Sequence, residues 1–250
     1  PATTEIYTLT HSSAASDVYK RQGMNNTTPR TLALLWLFTA LLPLQVSATT
    51  SDEWRFQVFL DEKPIGYHHF RLNTVGNTRE LRGEARFSVK LLGFTVYDYS
   101  HQNTELWQQD CLQQIEASTD DNGRELFVRG NSNGEQLLLE DNSGNRGVPG
   151  CVMTFAYWNP EILEQQQLLN AQTGEYLDVS VQPLGEKTLQ LQGREVPALH
   201  YRLSTDEDDI DLWYSSDRDW LALSTTTRGG RQLYYRRVAI ADKDGSVASE

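Results

Sequence analysis

A two-residue alternation of apolar and polar side chains runs through most of the chain and constrains its fold more than any other feature. Trp54, Phe56 and Val58 alternate with polar residues, so all three lie on one face of an extended strand. The same period recurs in segments separated by short stretches rich in Asp, Asn, Gly and Pro, the residues of tight turns. The pattern predicts about ten or more antiparallel strands joined by hairpins.

One segment near the middle of the chain has a different pattern. Asn159 is a suitable helix cap, Pro160 a suitable first helical residue, and Ile162 with Leu163 would form an apolar side. We predict a helix that begins at Pro160 and covers the concave side of the sheet. The preceding residues, 141–150, contain three glycines and no apolar period, which predicts a loop.

These patterns define the expected fold class. It is mainly β: a large curved antiparallel sheet, or a partly open barrel, with one covering helix. The acidic residues exceed the basic ones, giving a formal net charge of −12. Nucleic-acid binders carry the opposite sign, so we expect no nucleic-acid partner. The charge does not exclude binding of apolar lipid tails in a cleft.

The N-terminal residues are predicted to lie outside the folded domain. Residues 1–23 resemble a translated sequencing adapter and show no sustained helix or strand period, which indicates a non-native extension. A genuine disordered extension is the alternative. In either case we expect residues 1–48 not to pack on the domain.

Residues 24–48 have the order of a secretory signal peptide. Arg30 supplies a basic start, an apolar run follows at 31–42, and Ala48 ends a small-residue cleavage site. The run is shorter than the about 20 residues that span a bilayer. We therefore expect cleavage after Ala48, secretion, no transmembrane anchor afterwards, and a single β-rich domain of residues 49–250.

The chain contains two cysteines, Cys111 and Cys151. An even number of cysteines in an oxidising compartment predicts a disulfide, which would stabilise the fold by roughly 4 kcal/mol. Two unrelated thiols are the alternative. Neither cysteine lies in a Cys-x-x-Cys motif, so the pair does not indicate a redox-active site.

The histidines do not predict a metal site. His68 and His69 are adjacent, and adjacent strand residues point to opposite faces, so they cannot bind one ion without a bulge. His101 and His200 have no metal-ligand spacing relative to them, and the acidic segment 206–209 is typical of a solvated turn. The chain also lacks Gly-x-Ser-x-Gly, Ser-x-x-Lys and glycine-rich phosphate loops. We expect no metal and no cofactor, and the catalytic residues, if any, are unknown.

Two groups of segments resemble a known family. One is Cys-Val-Met-Thr-Phe-Ala-Tyr-Trp-Asn-Pro at 151–160 with 168–174. The other is Asp-Leu-Trp-Tyr-Ser at 211–215 with Trp-Leu at 220–221 and Tyr-Tyr-Arg-Arg at 234–237. Together they resemble a family of secreted bacterial proteins known only as a domain of unknown function. The second group also resembles hairpins of periplasmic lipoprotein carriers, which are half-barrels with an apolar cleft. The resemblance implies the periplasm of a Gram-negative bacterium and offers no catalytic residues.

Three functions fit these observations. The first is a non-enzymatic periplasmic binding protein for a lipid or other apolar ligand. The second is an envelope hydrolase that uses His69 and His101 with acidic partners, and the third is a structural or interaction module of the envelope. Tyr97, Tyr99 and His101 share one strand face and could line a pocket, although cross-strand packing explains such a stripe equally. The cleft candidates are Trp54, Phe56, Tyr97, Tyr99, His101, Tyr157, Trp158, Leu163 and Trp213.

Overall fold

The structure is a computed structural model that describes residues 49–238. The predictions for the adapter-like extension and the signal peptide lie outside the described residues. The strands within 49–238 are β1 (Thr49–Leu60), β2 (Lys63–Val75), β3 (Thr78–Leu91), β4 (Phe94–Gln108), β5 (Cys111–Asp121), β6 (Arg124–Ser132), β7 (Gln136–Asp141), β8 (Gly144–Pro149), β9 (Gln167–Leu169), β10 (Tyr176–Asp178), β11 (Ser180–Leu191), β12 (Arg194–Ser204), β13 (Asp209–Tyr214), β14 (Trp220–Thr226) and β15 (Gln232–Arg237).

Thirteen of these strands form one antiparallel sheet in the order β11-β12-β13-β14-β15-β1-β2-β3-β4-β5-β6-β7-β8. The first and last strands meet inside the sheet, where Val58 of β1 lies opposite Tyr235 of β15. The edge strands β8 and β11 do not pair with each other, so the sheet stays open. The predicted fold class, a large and partly open antiparallel β structure, is confirmed.

Residues 150–179, the crossing segment, connect the two sheet edges and supply part of the main core. Ile162, Leu168 and Leu169 are fully buried there among side chains from both halves of the sheet. The segment begins at Cys151, which is bonded to Cys111 with the two Cα atoms 4.9 Å apart. The predicted disulfide is therefore present.

The prediction of a helix that begins at Pro160 and covers the sheet is wrong, because the helix is too short to do so. Only Pro160–Glu164 are helical, as one short 3-10 helix capped by Asn159. The residues three and four positions after Ile162 are glutamines, so a longer helix would carry no apolar side. The chain instead extends into β9, which pairs with β10. The adjacent Leu168 and Leu169 are both fully buried, as an extended strand between two layers allows.

The predicted loop at 141–150 is also wrong, because Gly144–Pro149 form strand β8. This strand is an edge of the sheet and has no apolar alternation to reveal it. Its Arg146 side chain pairs with the buried carboxylate of Asp141 at 2.6 Å and donates to the carbonyl oxygen of Gly174. Arg146 therefore ties this edge to β7 by an ion pair and to the crossing segment by a hydrogen bond, while Val148 of the same strand is buried in the main core.

A second, smaller apolar cluster lies on the other face of the C-terminal strands. Leu212 belongs to the main core, whereas its neighbour Trp213 belongs to this second cluster with Leu191 and Leu221. Neighbouring strand residues point to opposite faces, so β13 is covered on both sides. The β11–β12 hairpin supplies the cover on the second side through Leu191, which is fully buried.

Candidate binding site

The candidate site lies on the inner face of β4, where every second side chain points toward the crossing segment. Tyr99, His101, Asn103, Glu105 and Trp107 follow one another at this spacing and all are buried. Two aromatic residues therefore enclose three polar ones on a single strand face. A run of polar side chains inside a β core is unusual unless the groups pair with one another or with a ligand.

His68 of β2 adds a second imidazole to this row. Strand pairing places His68 opposite Ala85 of β3, and Ala85 opposite His101. The two imidazole ring centres lie 6.5 Å apart, and His68 stacks on Phe70 at 4.0 Å. Both ring nitrogens of His68 are buried without a hydrogen-bond partner. The short side chain of Ala85 leaves the space between the imidazoles unfilled.

A cavity of about 250 Å³ separates this row from the crossing segment. Gly83 makes room for the side chain of Asn103, because a methyl group at Gly83 would lie 2.1 Å from Oδ1 of Asn103. That Oδ1 atom is buried and has no hydrogen-bond partner. The lining residues are His68, Phe70, Leu81, His101, Asn103, Glu105, Thr154, Phe155, Ala156, Tyr157, Trp158, Asn170, Ala171, Gln172, Leu177, Thr205, Asp208 and Ile210.

Glu105 holds the polar side chains of β4 in place through hydrogen bonds. Its carboxyl group accepts hydrogen bonds from Nδ2 of Asn103 at 2.8 Å, from Nε1 of Trp107 at 3.0 Å and from Oγ1 of Thr154 at 3.3 Å. Burial raises the pKa of Glu105 to about 7, although these three bonds act in the opposite direction. Glu105 thereby orients Asn103 and ties β4 to the crossing segment.

Burial also keeps the histidines of the site uncharged. It lowers the pKa of His101 to about 4 and the pKa of His68 well below the ordinary value, with the nearby imidazole of His101 as a second cause. Nδ1 of His101 lies 2.8 Å from Oγ1 of Thr119, which leaves Nε2 without a protein partner. At neutral pH the row offers neutral imidazole and amide groups to the cavity.

The structure brings some of the predicted cleft residues together at this cavity and separates others. His101, Tyr157 and Trp158 line it. Tyr99 lies just beyond, stacked on Phe87 at 5.0 Å. Tyr97 is half-buried near the end of β4, where its hydroxyl donates to Asp121 at 2.7 Å.

The remaining predicted residues lie away from the cavity. Trp54 and Phe56 are buried in the main core, and Leu163 packs against that core. Trp213 is on the opposite face of the sheet, where it stacks on His200 at 4.6 Å between the ring centres. Its predicted position facing the crossing segment is wrong, because Leu212 takes the inner position on β13.

The pairing of His69 with His101, on which the hydrolase hypothesis depends, is also wrong. His69 is exposed on the outer face of β2, since strand alternation turns its neighbour His68 inward. The inner His101 contacts Thr119 but has no carboxylate partner to orient it, which nucleophilic catalysis by a hydroxyl would require. Within residues 49–238, no three His, Cys, Asp or Glu side chains cluster as metal ligands.

Sequence reasoning missed His68, Asn103, Glu105 and Thr154. The signal for two of them was present, because Asn103 and Glu105 continue the period of Tyr97, Tyr99 and His101. His68 could have been preferred over His69, because it is two residues from the apolar Phe70 and shares its face. Nothing in the sequence placed Thr154 beside Glu105.

A larger depression of about 580 Å³ lies on the outer face of strands β1–β6, and we do not favour it as the site. Several of its charged side chains are already paired: Glu53 pairs with Arg55 at 2.7 Å and with Arg71 at 2.6 Å. Arg86 likewise pairs with Glu84 at 3.3 Å. Exposed pairs of this kind are typical of a solvated sheet face.

The fold and the inner cavity define an open, barrel-like β protein with a half-polar pocket. Residues 56–238 match a family described as a domain of unknown function (DUF6134), and the chain belongs to that family. The predicted resemblance to an uncharacterised domain family is thus confirmed.

Among solved structures, the chain is similar to a beta-barrel-like protein of the domain of unknown function DUF1849 from Brucella abortus. The TM-score is 0.56 at 9% sequence identity, over 77% of this chain and 97% of that chain. At this identity the similarity shows the fold alone. A comparison with curated proteins finds no match. In the part of the chain from 49 to 238, no helix has the length and apolar character needed to cross a membrane.

Proposed function

We propose that the protein is a non-enzymatic binding protein that takes a small, neutral, amphipathic molecule into the inner cavity. The observation that carries the proposal is the set of polar residues that line the cavity, among which both ring nitrogens of His68 and Oδ1 of Asn103 are buried without a hydrogen-bond partner. Buried polar atoms are nearly always paired, and an unpaired one costs about 1–3 kcal/mol. A bound molecule with a hydrogen-bonding group would remove that cost.

The lining of the cavity supports a narrower ligand class than the lipid or wholly apolar molecule expected from the sequence. Phe70, Tyr157 and Trp158 offer flat apolar surfaces, while the imidazoles of His68 and His101 offer neutral polar ones. No Lys or Arg lines this cavity. A buried anion would lack a partner there, which is costly. The volume of about 250 Å³ suits a small ring system or the polar end of a lipid.

Two dyes that share one ring skeleton test the proposal. N-phenyl-1-naphthylamine is neutral and carries one N–H group, and 1-anilinonaphthalene-8-sulfonate adds a sulfonate. We expect the neutral dye to bind with enhanced fluorescence and the sulfonate to bind at least about tenfold more weakly, because the cavity has no cation for it. Native mass spectrometry of gently purified protein would detect a retained natural ligand directly.

Matched variants locate the binding. Ala171→Trp places a large side chain at the cavity and should abolish dye binding, whereas Gln182→Trp, on the exposed edge strand β11, should leave it unchanged. Equal dye binding in the Ala171→Trp variant would contradict the proposal. So would the absence of both dye binding and a retained small molecule in the unmodified protein.

A further inference from the structure

The β3–β4 hairpin ends in an apolar tip that has no cover. Leu92, Phe94 and Val96 are exposed to 91%, 76% and 51% of their surface. The pairing of β2 with β3 stops at Phe87, and the pairing of β5 with β4 stops at Tyr99. In the strand ladder, residues 89–97 therefore pair only within the hairpin, although the hydroxyl of Tyr97 still bonds to Asp121 of β5.

The backbone conformation at this tip is unfavourable for Leu92, the residue found there. Leu92 has a φ of +52° and is followed by Gly93 at +87°, in a turn that favours Asn, Asp or Gly at both positions. The other described non-glycine residues with positive φ are all polar: Asp61, Glu62, Gln109, Asn122, Gln192 and Arg218. A leucine here is both strained and exposed, so neither folding nor solubility explains its presence.

The charge around the tip differs from that of the rest of the molecule. Residues 85–97 contain Arg86 and Lys90 and no acidic residue, in a chain with a net charge of −12. Lys90 forms no ion pair within residues 49–238. The turns at the same end of the sheet carry carboxylates, at 61–62, 120–121 and 206–209. The hairpin can thus offer apolar side chains and the cation of Lys90 to a phosphate-bearing surface.

From these observations we propose that the hairpin tip, residues 89–97, inserts into the headgroup region of a lipid bilayer and docks the protein there. A narrow ribbon with apolar side chains at its turn can enter between lipids without a shaped groove, and Lys90 can contact lipid phosphates as the apolar groups enter. The acidic turns at the same end of the sheet limit the attraction to strongly anionic surfaces. The proposal does not depend on the content of the inner cavity.

Sedimentation with lipid vesicles tests the proposal. Residues 49–250 are used, so that the apolar run at 31–42 cannot itself produce binding. Vesicles of phosphatidylcholine, with and without a minority of phosphatidylglycerol, should carry the protein into the pellet. The variant Leu92→Asn should weaken this partitioning about tenfold, the factor that burial of one leucine side chain supplies. Asparagine accepts a positive φ, so the same variant should be at least as stable as the unmodified protein.

Two more variants complete the design. Leu138→Asn removes a 49% exposed leucine from β7 and should leave vesicle binding unchanged. Lys90→Glu should weaken binding to both vesicle types. The proposal is overturned if the unmodified protein stays in the supernatant with both vesicles, or if Leu92→Asn sediments like the unmodified protein. It is also overturned if Leu92→Asn abolishes a concentration-dependent dimer while vesicle binding persists, since the tip would then serve a second copy.

Discussion

Glu105 makes the stability of the folded protein depend on pH. Burial raises its pKa from 4.5 to about 7, so the folded protein retains a proton that the unfolded chain releases. Its stabilising contribution is fully present below about pH 4.5 and is lost as the pH rises through about 7. His68 and His101 act in the opposite direction, because burial lowers their pKa values and folding is then disfavoured as the pH falls below the ordinary value.

A substitution at Glu105 should isolate this effect. We compare the free energy of unfolding of the unmodified protein with that of Glu105→Gln at each pH. The advantage of the unmodified protein should fall by about 3 kcal/mol between about pH 4.5 and about pH 7. The histidines titrate in both proteins and cancel in the difference. Urea unfolding at a series of pH values measures it, with Glu164→Gln, an exposed carboxyl, as the control. A difference that does not change with pH would show that Glu105 titrates normally.

Gly83 sets the position of Asn103 and, through it, the shape of the cavity. In Gly83→Ala the added methyl group would lie 2.1 Å from Oδ1 of Asn103, so that side chain must rotate and lose its bond to Glu105. We expect the free energy of unfolding to fall by about 1–3 kcal/mol, and binding of the neutral dye to weaken. Gly229→Ala is the matched control, since its methyl group would meet nothing closer than 3.9 Å. Equal stability of the two variants would contradict the role given to Gly83.

At the scale of elements, the crossing segment is held by contacts from outside itself. Its own backbone hydrogen bonds, such as that from Leu169 N to Met153 O at 2.8 Å, join parts of the segment to one another and do not attach it to the sheet. The hydroxyl of Tyr214 donates to the carbonyl oxygen of Tyr157 at 2.8 Å, and the guanidinium of Arg79 lies 4.9 Å above the ring of Trp158. Arg218 donates to the carbonyl oxygen of Pro160 at 3.0 Å. The disulfide adds a covalent anchor at the start of the segment.

Loss of the disulfide should therefore destabilise the whole fold. The two cysteines are 40 residues apart, and the double variant Cys111→Ser with Cys151→Ser should lower the free energy of unfolding by roughly 4 kcal/mol. Hydrogen exchange should show the loss of protection first in residues 150–179. The unmodified protein treated with reductant serves as the comparison and should behave like the variant. Unchanged urea unfolding in both samples would show that the noncovalent contacts suffice.

At the scale of the whole molecule, the pairing of β1 with β15 joins two halves that are distant in sequence. Close to this pairing, Nε1 of Trp54 donates to Oδ1 of Asp219, 165 residues away, at 3.0 Å. Asp219 in turn pairs with the buried Arg237 of β15. Contacts of such long range delay folding, because the loop between them must close first.

Removal of the last strand tests this architecture. A chain that ends at Arg231 lacks β15, so β1 and β14 each lose one of their two partner strands and the sheet is split; we therefore expect no cooperative thermal transition by circular dichroism. A chain that ends at Val238, where the family match also ends, should unfold cooperatively like the longer protein. If the shorter chain keeps a cooperative transition of similar midpoint, the β1–β15 pairing is dispensable and this view of the fold is wrong.

Much of the fold was predictable because strand patterns act between near neighbours. The alternation of Trp54, Phe56 and Val58 identifies β1, and the spacing of Tyr97, Tyr99 and His101 identifies the inner face of β4. The helix beginning at Pro160 was overpredicted, since a cap indicates where a helix starts and says nothing of where it ends. Strand β8 was missed because Val148 is the one apolar residue on its inner face, beside the ion-paired Arg146, and one apolar residue makes no alternation.

The sequence by itself determined the mainly β class, the hairpin succession and the cysteine pair, because side-chain period, turn chemistry and an even cysteine count can be read without knowing what the strands pack against. Tertiary structure alone decided that Trp213 turns away from the cavity and that Thr154 meets Glu105. These outcomes depend on which strands become neighbours and on the path of residues 150–179. The burial of Glu105 and of the histidines, and hence their shifted pKa values, arises only when segments far apart in the chain exclude water together.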